Sequence, residues 1–292
     1  MIRTDDRDTE LRRELIRRAR EYRQREGRRG LRRQPPRPRQ PAQIEREYIA
    51  DMRRLARRFS DNIREELEPQ LESLVDEAGL RDDALRSDGW ASRLAAIVGN
   101  VQSLNQDATE DIEGMVSGYA ERLQDFADDD QKRMFRAVFG VDLPFARDPD
   151  VLESWVRENV SYIRTIAEDQ LNEVQGIVNR EIRAGNRHTE IMKDVRKRFG
   201  ISERRARVIA RDQTSKLRGE IDRKRQRDLG IGKFIWRTAD DERVRPEHAD
   251  REGQKYDWDN PPNGEIPGQP IQCRCRAAPA VQDLLNELEA EE

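Results

Sequence analysis

The sequence predicts a mainly α protein, with an elongated body of long helices and a small α+β domain near the C-terminus. Three observations lead to this fold class. Of the 292 residues, 39% are charged and only 35% are hydrophobic, against about 25% and 45–50% in an average soluble domain. Apolar residues recur at steps of three or four over long stretches, and the period changes to that of a strand at residues 233–238. The apolar content is too small for one compact core of this length, but sufficient for amphipathic helices and one small domain.

Composition also excludes several classes of protein. No segment approaches the roughly 20 consecutive apolar residues of a membrane span, so we expect no membrane association. The N-terminus carries Arg and Asp where a secretory signal needs an apolar stretch. The two cysteines lie two positions apart, which is not a disulfide framework, and a reducing compartment is expected.

Residues 1–42 form a basic segment rich in Arg and Pro. Residues 1–40 contain 15 Arg, no Lys and 7 acidic residues, a net charge of +8, whereas the remaining residues carry a net −11. The proline run at 34–41 predicts an extended linker. We interpret the segment as a mobile arm that can become helical when bound, or as a solvated tail without a partner. If it binds, its arginines suit duplex DNA phosphate or an acidic protein surface. The candidate arginines are Arg12, Arg13, Arg17, Arg18, Arg28, Arg29, Arg32 and Arg33.

Residues 43–147 are predicted to be a helical region. An apolar stripe from Tyr48 to Leu74 predicts one long helix, which Pro69 should kink or divide. Further helices are expected near 90–98 and 104–126. The acidic run at 128–130 should open a separate short helix, because carboxylates suit a helix N-terminus.

Residues 148–229 are predicted to be a long-helix region. Asp148 followed by Pro149 is a strong helix start, and the helix should run to about Arg183. Gly200 and a Ser202 cap should then divide residues 189–228 into a helix pair rich in Lys and Arg. Such a pair could read DNA through Arg204 and Arg205, but interleaved acidic residues favour a solvated helical hairpin.

Residues 230–280 should form the small α+β module, and 281–292 an acidic helical tail. The module contains residues of the types that Zn²⁺ prefers, His248, Cys273 and Cys275, with Asp241 or water as a fourth ligand. The alternatives are inert core cysteines, or a hydrogen-bonded knot of Asp241, Arg245 and His248 against the Cys-x-Cys strand. Because the module has few apolar residues, we expect one structural zinc or the knot to hold it together.

The segment 210–280 resembles the phage Mu F-like, or phage head morphogenesis, minor head proteins. The resemblance depends on the order of several pieces: Ala210–Thr214, Trp236–Thr238, Asp241–His248, Gly253, Tyr256–Trp258, Gly264 and Pro267–Arg276. It marks as motif residues Trp236, Asp241, Arg243, Arg245, His248, Gly253, Cys273, Arg274 and Cys275. Some members carry Cys at the positions of Arg245 and His248 and a His near Pro270, so a metal site here would be reduced to three ligands.

The resemblance implies a non-enzymatic minor structural protein of a tailed-phage head. Such a protein would be found in several copies inside the capsid near the portal, after assembly in the host cytoplasm. Its partners would be the portal protein, the major capsid protein and packaged double-stranded DNA, and it would act in head assembly, DNA packaging or DNA delivery at ejection. The alternatives are a DNA-binding regulator using the 189–228 pair, or an enzymatic or toxin effector with a metal site.

Overall fold

A computed structural model describes residues 4–79 and 88–290, with the side chains of residues 10–79 and 89–290. Residues 1–3 of the predicted arm and 291–292 of the predicted tail lie outside this range. Within it are eight α-helices and three strands. They are α1 (Thr4–Glu26), α2 (Ala42–Gly79), α3 (Asp88–Asp107), α4 (Ile112–Phe139), α5 (Pro149–Arg183), α6 (His188–Asp228), β1 (Lys233–Arg237), α7 (Pro246–Ala249), β2 (Lys255–Asp257), β3 (Arg276–Pro279) and α8 (Gln282–Ala290). The prediction of a mainly α protein with a small C-terminal α+β region is confirmed.

Several helix ends follow the local rules that predicted them. Helix α5 begins at Pro149, and the Asp148 carboxylate accepts a hydrogen bond from the Val151 amide at 3.3 Å, as an N-cap residue should. It ends before Gly185, whose φ of +75° suits a C-terminal glycine. Gly230, with φ +65°, likewise follows the end of α6.

The chain forms two compact units, each assembled from separated segments. The first unit comprises the described residues of Met1–Ile44, Tyr119–Glu153 and Arg211–Glu292, and the second comprises those of Glu45–Gly118 and Ser154–Ala210. In the second unit, the apolar faces of α2, α3, α5 and α6 share one buried core that includes Leu67, Leu94, Val178 and Val195. The stripes predicted for α2 and α5 are therefore core faces.

The first unit contains two apolar clusters. One joins Leu15 of α1 to Phe135 and Phe139 of α4 and to Leu284 of α8. The other lies on the three-stranded antiparallel sheet of order β2-β1-β3, where Trp236 of β1 is paired with Ala277 of β3. The strand predicted at 233–238 is this central strand.

The prediction of a mobile basic arm was wrong for the described part of residues 1–42. Helix α1 buries Leu15, Ile16 and Ala19 in the core of the first unit. The Arg32 amide also donates to the Ala137 carbonyl at 2.7 Å. The apolar face of α1 is short, but burial of these three side chains against α4 and α8 stabilises the packed position of the helix.

The predicted turn within residues 189–228 was also wrong. Helix α6 continues through Gly200 and Ile201 as one helix of 41 residues. The Ser202 hydroxyl is buried and hydrogen-bonds back to the Arg198 carbonyl at 3.4 Å. Because this serine bonds to the preceding turn instead of capping a new helix, neither a DNA-reading pair nor a helical hairpin forms.

Pro69 lies inside α2 without dividing it, so the division is excluded and the predicted kink is not tested. Two further expectations within residues 43–147 were wrong. The helix expected at 104–126 is interrupted between α3 and α4. The acidic run opens no new helix, since Asp128 and Asp130 lie within α4 with 7% and 0% of their surface exposed. These carboxylates instead face the buried Arg225 and Arg218 of α6 at 2.7 and 2.8 Å.

Candidate metal centre

The structure brings His248, Cys273 and Cys275 together in the first unit. His248 lies on the short helix α7, and the two cysteines lie immediately before β3. The His248 Nδ1 atom is 3.6 Å from the Cys273 sulfur and 3.5 Å from the Cys275 sulfur. All three side chains are buried, and their donor atoms lie within 4.8 Å of one another.

These distances match the geometry of a tetrahedral zinc site. With Zn–S near 2.3 Å and Zn–N near 2.0–2.1 Å, tetrahedral angles place the nitrogen and each sulfur about 3.6 Å apart. The observed separations of 3.5 and 3.6 Å agree with this value. The nitrogen–sulfur separations are therefore compatible with such an ion.

The remaining ring nitrogen of His248 faces a carboxylate. Its Nε2 atom is 3.6 Å from Glu265, which is held by Arg251 at 2.7 Å. The hydrogen bond from Arg251 lowers the pKa of Glu265, so this group is ionised at neutral pH. A carboxylate on the side of Nε2 and sulfur atoms on the side of Nδ1 is an arrangement seen around metal-bound histidines.

The two thiols share a hydrogen bond that separates their acidities. The hydrogen bond from Cys275 lowers the pKa of Cys273 to about 5, and the same bond raises the pKa of Cys275. The Cys275 amide also approaches the Cys273 sulfur at 3.4 Å. The lowered pKa favours the thiolate of Cys273, the form that binds metals, and a bound metal would draw the second thiol into that form.

Asp241 does not join the cluster, contrary to its predicted place as a fourth ligand. Its carboxylate pairs with Arg274 at 2.6 Å and accepts from the Arg243 amide at 3.1 Å. Arg245 donates to the Ile271 carbonyl at 2.6 Å, tying the start of α7 to the loop before Cys273. Asp241 and Arg245 thus make separate hydrogen bonds, and they do not form the predicted hydrogen-bonded network with His248.

Two further predicted motif residues, Trp236 and Gly253, lie on or beside the central strand β1 next to the candidate metal ligands. Trp236 is fully buried on β1, and its ring meets the His248 ring edge-on with centroids 5.1 Å apart. Arg251 lies over the same indole, 4.8 Å from its centroid. Gly253 has φ +74°, and its amide donates to the Trp236 carbonyl at 2.8 Å.

Helix α6 contacts the loop that carries Cys273. The sequence did not predict the role of the α6 residues that make these contacts. The Ser215 hydroxyl donates to the Cys273 carbonyl, and the Gln272 amide donates to Asp212 at 2.9 Å. A Cβ atom at Gly219 would lie 2.6 Å from the Pro267 carbonyl oxygen, so only glycine allows this approach. Asp212 lies in the segment that carried the family resemblance, but nothing in the sequence pairs it with residue 272.

The arginines proposed for DNA divide into two groups in the structure. Arg12, Arg17, Arg18 and Arg28 make ion pairs or hydrogen bonds within the chain, for example Arg12 with Glu287 at 2.7 Å. Arg13, Arg29, Arg32 and Arg33 form the exposed group, although Arg17 and Arg28 are also exposed despite their ion pairs.

Residues 172–278 match the model of the family described as Phage Mu protein F like protein. This match confirms the resemblance for that segment. It contains β1, β2 and the His248, Cys273 and Cys275 cluster.

A relative from Haemophilus influenzae, described as an uncharacterized protein, is 28% identical over 183 residues. The alignment covers 61% of this chain and 41% of the relative, so the chain spans less than half the length of that protein. No solved structure matches the chain. Among the described helices, none combines the length and apolar character that a bilayer crossing requires.

Proposed function

We propose that this chain is a minor structural protein of a tailed-phage head, associated with the portal and the capsid interior. In this role it acts in head assembly, DNA packaging or DNA delivery, and its partners are the portal protein, the major capsid protein and packaged duplex DNA. The observation that carries the proposal is the family match over residues 172–278, which falls on the folded module with the His/Cys cluster.

The test is the location of the protein in purified heads. We expect it in DNA-filled particles, and bound to portal in particles emptied of DNA, at several copies per head by quantitative mass spectrometry. A chain deleted of residues 230–280 serves as the comparison and should be lost from both. Absence of the full chain from heads that contain portal would contradict the proposal.

We further propose that the cluster binds one structural zinc through His248, Cys273 and Cys275. Zinc would supply a cross-link between α7 and the loop before β3, which a module with so small an apolar cluster needs. The nearby Glu265 would orient the histidine, and a water molecule would complete the coordination.

Elemental analysis with thermal melting tests this site. We expect about one zinc per chain, and a lower melting temperature after chelation. His248→Ala should lose both the metal and the response to chelator, whereas His188→Ala, which removes the chain's other histidine, should keep them. A metal-free protein whose melting temperature is unchanged by added zinc would exclude a structural metal.

A further inference from the structure

A small cleft beside the cluster is lined by four arginines. Its cavity volume is about 180 Å³, and its walls include Arg211, Arg243, Arg245 and Arg274 together with the three candidate metal ligands. Within the described residues, no Asp or Glu lines it. A positive cleft with protein walls concentrates the field on a bound anion.

Only part of this positive charge is neutralised by neighbouring side chains. Arg274 is paired with Asp241 at 2.6 Å. Arg245 donates one N–H group to the Ile271 carbonyl at 2.6 Å. Because this acceptor is neutral, it does not offset the positive charge of Arg245. The exposed side chain of Arg243 makes no hydrogen bond or ion pair to any described residue, although its charge acts on the nearby Asp241. Arg243 and Arg245 therefore bring positive charge to the cleft that no ion pair with a described residue neutralises.

We propose that this cleft binds a single phosphate group. Its volume is below the roughly 300–1,000 Å³ of pockets that enclose drug-sized ligands, so it is too small for a whole nucleotide but sufficient for one tetrahedral anion. Guanidinium groups bind phosphate oxygens through paired hydrogen bonds. This proposal requires neither the zinc nor the place of the protein in a phage head.

The arrangement favours phosphate over carboxylate. The arginines come from three separate segments of the chain. Arg211 belongs to α6, Arg243 and Arg245 to the segment before α7, and Arg274 lies between the two cysteines. A planar carboxylate is satisfied by one guanidinium fork, whereas a phosphate group offers acceptor oxygens to several donors at once.

The first experiment titrates the full-length protein with inorganic phosphate and follows binding by calorimetry. Hydrogen bonds to a charged group contribute about 1.5–3 kcal/mol, so Arg243→Ala should weaken binding by roughly tenfold or more. Arg57→Ala removes an equally exposed arginine from the second unit and should leave binding unchanged. Equal binding in wild type and Arg243→Ala, no binding to wild type, or acetate binding as tight as phosphate would each overturn the proposal.

A second titration, with a short labelled DNA duplex, identifies the source of the phosphate. If the phosphate belongs to DNA, Arg243→Ala should weaken duplex binding more than Arg57→Ala, and inorganic phosphate should compete. If only inorganic phosphate binding depends on Arg243, the ligand is free phosphate. Repeating both titrations with chelator and with one equivalent of zinc separates this proposal from the metal proposal, since the arginines should retain phosphate in either condition.

Discussion

The guanidinium of Arg218 is fully buried in the first unit, where it donates to Asp130 at 2.8 Å and to Asp222 at 2.9 Å. Burial opposes ionisation of Asp130, but the charge and hydrogen bonds of Arg218, together with the Arg39 amide, outweigh it and lower the pKa of this group. For Asp222, burial prevails and raises the pKa. With the Arg39 amide, the same guanidinium therefore outweighs the effect of burial on the pKa of Asp130, but it does not outweigh that effect on the pKa of Asp222.

Arg218→Met should destabilise the protein by about 3–5 kcal/mol, because removing one partner of a buried ion pair leaves uncompensated charge. Urea unfolding measures the loss. Arg54→Met, which breaks an exposed pair with Asp51, should change stability by less than about 1 kcal/mol. Combining Arg218→Met with Asp222→Asn should recover part of the loss, and no recovery would show that the methionine disturbs packing instead.

Glu252 links the sheet to the proline-rich linker, and it should make stability depend on pH. It accepts hydrogen bonds from the Thr238 amide at 2.6 Å and from Arg237 and Arg37, each at 3.0 Å. Burial opposes its ionisation, but these contacts outweigh it and lower the pKa of Glu252 from 4.5. A lowered pKa stabilises the fold above the unfolded value, and this contribution disappears as pH falls through the folded value.

Glu252→Gln should therefore cost about 1–2 kcal/mol at pH 7 and progressively less below about pH 4.5. Urea unfolding at several pH values measures the difference from wild type. Glu242→Gln alters an exposed glutamate and should follow the wild-type pH profile. A cost for Glu252→Gln that is constant from pH 7 to pH 3 would contradict the prediction.

At the scale of the element, α2 is a helix that tolerates an internal proline. Pro69 is exposed on the face opposite the core residues Leu67 and Leu71. Its ring occupies the helix surface, where the unpaired carbonyl four residues earlier can reach water. The core face of α2 therefore continues past it, and packing of Leu71 and Leu74 outweighs the local preference.

Pro69→Ala should stabilise the protein by about 2 kcal/mol. Proline is about 3 kcal/mol less favourable than alanine inside a helix. The substitution also makes the unfolded chain more flexible, which offsets up to about 1 kcal/mol of the gain. The shift in urea midpoint measures the gain. Glu72→Ala, an exposed change in the same helix, should be close to neutral. A destabilised Pro69→Ala protein would show that the surrounding helix has adapted to the ring.

At the scale of the whole molecule, the charge difference between residues 1–40 and the rest of the chain remains, but its distribution differs from that expected of a mobile tail. Two arginines of this segment pair with α8, namely Arg12 of α1 with Glu287 and Arg28, just beyond the end of α1, with Glu289. The exposed Arg29, Arg32 and Arg33 lie at and beyond the end of α1. We therefore assign the proposed DNA contact to the exposed group.

The double variant Arg32→Ala and Arg33→Ala should weaken duplex binding and reduce the slope of log affinity against log salt by about 2, or roughly one for each lost phosphate contact. Fluorescence anisotropy at several salt concentrations measures the slope. The matched double variant Arg57→Ala and Arg58→Ala removes the same charge from the second unit. Equal slopes in the two double variants would place DNA binding elsewhere.

Local sequence patterns were enough to predict the helical class, the apolar faces of α2 and α5, the start of α5, and the strand at which the apolar spacing changes to alternation. These features depend on residues close together in the chain, where spacing and capping act directly. The sequence also identified His248, Cys273 and Cys275, because few residue types bind zinc.

Which of these residues contact one another became known from the folded structure. It pairs Asp241 with Arg274 and not with the candidate metal ligands, buries Asp128 and Asp130 against α6, and packs α1 into the first unit. It also brings Arg211 to the same cleft as Arg243, 32 positions later in the chain. Such contacts join residues far apart in sequence, and burial of apolar surface with pairing of buried charge outweighs the local preferences on which the wrong predictions relied.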